Sequence, residues 1–109
     1  MSIEITARHM SAPAAKEHAN DKAEKLMELF PRIDTIRVVL AVEKHRCEAE
    51  VIVRGKNHIH IEAEEVNNDN DMMAAIDVAF DRAERQMRKL RDKVQEHRPH
   101  GDEEVVPEI

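Results

Sequence analysis

Ile3, Ile5 and Ala7 alternate with Glu4, Thr6 and Arg8, the period-two pattern of a half-buried strand. The period then changes. Ala15, Ala19, Ala23, Leu26 and Phe30 recur at steps of three and four, which predicts a helix with one apolar face. Ser11 or a close neighbour would supply the N-cap, and Pro13 fits the first turn. Pro31 ends the helix, because its ring and missing N–H break the ladder.

Period two returns three times. Ile36, Val38, Leu40 and Val42 form one alternating set, Cys47, Ala49, Val51 and Val53 a second, and Ile59, Ile61 and Ala63 a third. The links Lys44 to Arg46 and Gly55 to Asn57 are short enough for hairpins, with Gly55 free to take positive φ. The polar run Asn67 to Asp71 reads as a loop ending in an N-cap. A long helix from about Met72 to about Glu96 follows. Its expected buried stripe is Ile76, Phe80, Ala83, Met87, Leu90 and Val94. The order is β-α-β-β-β-α. It predicts an α+β domain over residues 1–95, a four-stranded sheet with two helices packed on one face. Residues 96–109 have no apolar period and are rich in Glu and Asp, which predicts a short, acidic, disordered tail.

Composition narrows the class. The chain of 109 residues is 41% hydrophobic and 37% charged, with two Phe and no Trp or Tyr, so the core must be aliphatic. No run approaches the roughly 20 apolar residues of a membrane span, and MSIEITARHM lacks a secretory h-region. A cytoplasmic protein is expected. The single cysteine, Cys47, is expected to pack as a small apolar residue.

The formal charge of −6 averages over unlike segments. The tail holds five of the 23 acidic residues and one of the 17 basic ones, which leaves the body at −2. Six Arg and Lys fall within DRAERQMRKLRDK, Asp81 to Lys93. On the helical repeat, Arg82, Arg85, Lys89 and Lys93 lie about 180–260° from Ile76. Asp77, Asp81, Glu84 and Asp92 lie on the opposite flank, about 80–160° away. In the first helix His18, Lys22 and Lys25 share one shoulder, so the two basic shoulders could join into one strip. Such a strip suits phosphate contact more than base readout. A solvated helix face with i,i+4 pairs explains the same charges, and charge sorting does not separate the two.

DMMAAIDVAFDRAERQMRKLRDKV resembles the second helix of the ribosome hibernation promoting factors and ribosome-associated inhibitors. KAEKLMELFPRID resembles the first helix of that family, and ITARHM and VVLAVEK resemble its first two strands. The resemblance spans about residues 3 to 95. It implies a double-stranded-RNA-binding-like fold that binds rRNA of the small ribosomal subunit, in the channel used by mRNA and tRNA. Translation on idle ribosomes would be blocked by occlusion. By matched position the rRNA contacts are Lys22, Lys25, Arg82, Arg85, Lys89, Arg91 and Lys93, with Arg8 a further candidate. Met73 departs from the family's Tyr, and the loop from Val66 to Asp71 is longer. The chain is similar to the short form, which lacks the dimerising second domain, and is expected to be a monomer off the ribosome.

Other chemistry is weakly supported. His58 and His60 with Glu62 and Glu64 form an exposed strand face rather than a closed metal site. There is no Gly-rich phosphate loop, HExxH or GxSxG. No enzyme activity, cofactor, metal, membrane or small-molecule substrate is expected. The competing function is a protein-interaction module that uses Glu48, Glu50, Glu62 and Glu64 of the sheet and binds no RNA.

Overall fold

The computed structural model describes residues 2–8 and 12–96, with side chains as far as residue 92. The expected cap Ser11, residues 97–109 of the expected tail and the side chains of Lys93 and Val94 lie outside the described residues, and Glu96, the first residue assigned to that tail, is the last of the long C-terminal helix. The elements are β1 (Ser2–Arg8), α1 (Pro13–Leu29), β2 (Ile33–Glu43), β3 (Arg46–Gly55), β4 (Ile59–Asn67) and α2 (Met72–Glu96). The strands form one sheet in the order β1-β2-β3-β4. β1 runs parallel to β2, and the other two pairings are antiparallel. α1 covers β1 and β2, α2 covers β3 and β4, and the helices touch each other. This is the expected layout.

Alternation sets the two faces of the sheet. Ile36, Val38 and Leu40 of β2 and Cys47, Ala49, Val51 and Val53 of β3 are all buried under the helices. α1 meets them with alanines, Ala15, Ala19 and Ala23, and its axis can therefore lie close to the strands. α2 supplies the bulk, with Ile76 fully enclosed and Phe80 4% exposed. No polar or charged side chain is buried among the described residues.

The stripe of α2 differs from the expected one at its end. Ile76, Phe80, Ala83 and Met87 are buried, but Leu90 is 36% exposed. The cause is length. A helix of 25 residues extends about 37 Å, whereas the nine residues of β4 reach only about 30 Å. The helical period continues after the sheet has run out. At the other end the stripe is wider than expected, because Met72, Ala75 and Ala79 are buried as well.

The turns also depart from expectation. Gly55 does not take positive φ; Lys44, Asn57, His58 and Asn70 do, at 56–65°. Gly55 is needed for space, since a Cβ there would collide with the Arg32 carbonyl oxygen. That oxygen accepts a hydrogen bond from Lys56 N at 3.0 Å. β4 extends to Asn67, which pairs with Cys47. The loop after it is organised by Asn67, whose Oδ1 accepts from Asp69 N at 3.2 Å and whose Nδ2 donates to the Asp71 carbonyl at 2.9 Å. Asp71 is the N-cap of α2, accepting from Ala74 N at 3.0 Å.

Candidate nucleic-acid interface

β4 runs parallel to β2, and both helices run back against them, so α1 and α2 are parallel to one another. Their N-terminal halves meet where His18 Nε2 donates to Asp77 Oδ1 at 2.6 Å, with Lys22 Nζ 3.5 Å from the same oxygen. Their C-terminal ends meet where the Arg91 guanidinium stands 5.4 Å from the centroid of the Phe30 ring, a cation–π distance. These contacts fix the rotation of α2. Its acidic flank, not its basic one, faces the basic shoulder of α1.

The two basic shoulders therefore do not join as a single strip. Arg82 lies on the far side of α2, over the exposed edge of the sheet. It donates to the Glu64 carbonyl and pairs with Glu65 Oε1 at 2.8 Å. Gln86 Nε2 donates to the Glu62 carbonyl at 3.4 Å in the same row. These side chains cover backbone groups of an edge strand that would otherwise be open to pairing. Arg82 is thus half occupied with structure, its side chain 49% exposed.

Arg85 points away from the sheet, 73% exposed, with its guanidinium 3.1 Å from Asp81. Lys89 is exposed next to it, and Lys25 is exposed on α1. Neither lysine has an ion-pair partner within 4.0 Å among the described residues. Arg88, which the residue matching passed over, is half exposed and held by Glu84 through two hydrogen bonds of 3.0 and 2.6 Å. Its i,i+4 spacing from Glu84 was the available signal. Lys22, Lys25, Arg85, Lys89 and Arg91 thus share the outer surface of the helix layer. Arg8 does not join them. It sits on the opposite face of the sheet, beside a depression of about 210 Å³ lined also by Glu43, Arg46 and Glu48.

Asp77 is the electrostatic node of this surface. Partial burial alone would raise its pKa, but the hydrogen bond from His18 and the charge of Lys22 outweigh that effect and hold its carboxyl below its ordinary value of 3.8. Cys47 is buried, and burial, reinforced by the charge of Asp71, pushes its thiol up. It is a packing residue without the thiolate character of a nucleophile.

The open sheet face carries the other charge. Glu50 lies directly opposite Glu64, and Glu48 and Glu62 stand in the adjoining cross-strand pairs, opposite Val66 and Ile52. Arg46 pairs with Glu48 at 2.9 Å, and His60 with Glu62 at 2.8 Å. His58 belongs to the turn before β4 rather than to the strand face. Among the described residues no group of three or more His, Cys, Asp or Glu could hold a metal ion. No helix among them is long and apolar enough to cross a membrane.

Comparison with known proteins agrees with this architecture. The chain is 38% identical over 100 residues to the ribosome hibernation promoting factor of Escherichia coli K12, covering 89% of this chain and 100% of that one. It is 32% identical over 98 residues to the factor of the same name from Azotobacter vinelandii, covering 85% of each. A ribosomal subunit interface protein from Coxiella burnetii shares the fold, with TM-score 0.73 at 20% identity, covering 84% of this chain and 99% of that one. The N-terminal domain of Thermus thermophilus Protein Y superposes with TM-score 0.70 at 26% identity, covering 83% and 99%. The family model described as Sigma 54 modulation protein / S30EA ribosomal protein matches residues 3–95, and the chain belongs to that family.

Proposed function

We propose that this chain is a ribosome hibernation factor that binds rRNA in the decoding channel of the small ribosomal subunit and blocks mRNA and tRNA there. It acts without catalysis, in the cytoplasm, as a monomer until it meets the ribosome. The observation that carries this reading is the outer surface of the helix layer. Two rigid parallel helices present Lys25, Arg85 and Lys89 as exposed cations, within a family whose relatives carry the hibernation name. Lys22 and Arg91 extend that surface, Arg82 would reach RNA only from the edge of the sheet, Lys93 is carried by the family resemblance alone, and Arg8 would serve only a contact on the opposite face.

The mechanism is occlusion. Ammonium and guanidinium groups on helices neutralise phosphates and release counterions, so binding weakens steeply with salt. The folded body then fills space that mRNA and tRNA need. Phe30 and Phe80 are buried and the chain has no Trp or Tyr, so the helix surface offers single-stranded bases no platform of such rings. Backbone contact to folded rRNA is what it can make.

The test is co-sedimentation with vacant small subunits over a salt series, followed by competition with mRNA and tRNA. Binding that falls with salt and excludes both ligands supports the reading. Sedimentation free of ribosomes at low salt would overturn it and favour the protein-interaction module on Glu48, Glu50, Glu62 and Glu64.

A further inference from the structure

The cations of the helix layer come with their own anions. Arg85 is paired with Asp81 at 3.1 Å, Arg88 with Glu84 at 2.6 Å, and Lys22 with Asp77 at 3.5 Å. The core needs none of these carboxylates, which are exposed by 56%, 33% and 50%. Exposed pairs of this kind contribute little to stability, about 0.2–1 kcal/mol each. They do change what an approaching polyanion meets.

From Asp77 to Asp92, α2 carries Arg82, Arg85, Arg88, Lys89 and Arg91 against Asp77, Asp81, Glu84 and Asp92. The segment is almost neutral, although its surface is dense in guanidinium groups. A nearly neutral surface generates little long-range attraction for RNA in general. Contact then requires a phosphate placed well enough at each guanidinium to replace the carboxylate already there. Discrimination depends on this difference, because the concentration of competing sites enters alongside affinity.

We infer that Asp81 and Glu84, with Asp77 beside them, are specificity-determining residues: they act as internal counterions that hold the basic helix surface off loose RNA and yield only to phosphates fixed at matching positions. The inference rests on the rRNA reading proposed above. It makes the acidic flank part of the recognition surface. It also accounts for an RNA-directed helix in which Arg85 and Arg88, two of its five cations, are matched by carboxylates one helical turn away, while Asp77 matches Lys22 across the helix pair.

The test compares wild type with the double variant Asp81→Asn, Glu84→Gln. Both changes keep side-chain shape at exposed or partly exposed positions, and circular dichroism of the variant checks that it folds as wild type does. Binding is measured to vacant small subunits, to poly(U) and to an unrelated RNA duplex, each at several salt concentrations. The variant is expected to bind the loose RNAs about tenfold tighter at low salt, with a log–log salt slope steeper by about one to two, because two more cations become free to meet phosphates. Subunit binding should change less, so the ratio of specific to loose binding falls. Unchanged or weaker binding to loose RNA, with wild-type binding to subunits intact, overturns the inference alone. Wild-type protein that binds no subunits overturns the rRNA reading, and the inference with it.

Discussion

Asp77 of α2 accepts a hydrogen bond from His18 of α1 at 2.6 Å, and this contact sets which flank of the long helix faces its neighbour. Helical periodicity sorts α2 into basic and acidic sides, but either side could have turned toward α1. The pairing brings the acidic side in.

The same contact predicts acid sensitivity. A carboxyl whose folded pKa lies below its unfolded value contributes stability that is present above that unfolded value and lost as pH falls through the folded one. For Asp77 the contribution is therefore in full force well above 3.8 and disappears on acidification below it. Asp77→Asn should lower stability near neutral pH by roughly 0.5–1 kcal/mol, because the pair is partly exposed. The difference from wild type should narrow below the Asp77 pKa. Urea unfolding of both proteins at pH 7 and at pH 3 measures it, and an equal gap at both values would remove Asp77 from the account.

Core substitutions should separate two apolar positions of α2. Ile76 is fully enclosed, whereas Leu90 projects past the end of the sheet. Ile76→Ala should cost about 2–5 kcal/mol, the range for deleting a buried aliphatic side chain. Leu90→Ala should cost less than about 1.5 kcal/mol, since only part of its transfer free energy is at stake. Equal losses in chemical denaturation would place Leu90 in the core after all.

Much of this fold was legible because each element keeps its period. Ile36, Val38, Leu40 and Val42 and the set Cys47, Ala49, Val51 and Val53 recur at every second position, so the helix-facing side could be read from the period even though Val39, Ala41 and Ile52 are apolar on the other face. Three features were not legible, for different physical reasons. Leu90 continues a helical period that depends on the helix, while its burial depends on the length of a strand elsewhere in the chain. Gly55 looks like a turn glycine, yet its role is steric clearance from the Arg32 carbonyl, a contact between distant residues. Arg82 has the spacing of a surface cation, but its edge-covering bonds require knowing that α2 lies over β4. For the candidate interface, residue types and helical angles were readable. The partner of each charge was not.

The turn before β4 holds a stabilisable position. Asn57 and His58 take φ of 60° and 65°, the left-handed region that costs ordinary L-residues about 1–2 kcal/mol. Asn tolerates this region better than His, because its short amide can bond locally. His58→Asn should raise stability by up to about 1 kcal/mol. Thermal unfolding should show the midpoint moving upward, and a lower midpoint would mean that His58 makes a compensating contact.

Charge reversal on α2 should separate binding from structure. Arg82 secures the edge of β4 through Glu65 and the Glu64 carbonyl, so Arg82→Glu sets a carboxylate against Glu65 and removes a donor from the edge. That variant should lose roughly 0.5–1 kcal/mol of stability, because the pair it reverses is partly exposed and water can reach the carbonyl it uncovers. Arg85 and Lys89 carry no such duty: Arg85 bonds only an exposed Asp81 one turn away, and Lys89 stands in solvent. Arg85→Glu with Lys89→Glu should leave the unfolding midpoint within about half a kcal/mol of wild type, as usual for exposed positions. If these side chains meet phosphates, the same variant should bind small subunits at least tenfold more weakly at low salt, with a shallower salt slope, because attraction has become repulsion at two sites. Measuring denaturation and subunit co-sedimentation on the same preparations distinguishes the roles. A folded Arg85, Lys89 variant that sediments with subunits as wild type does would show that these two positions of α2 are merely solvated, and would leave Lys22, Lys25 and Arg91 as the remaining contacts of the helix layer.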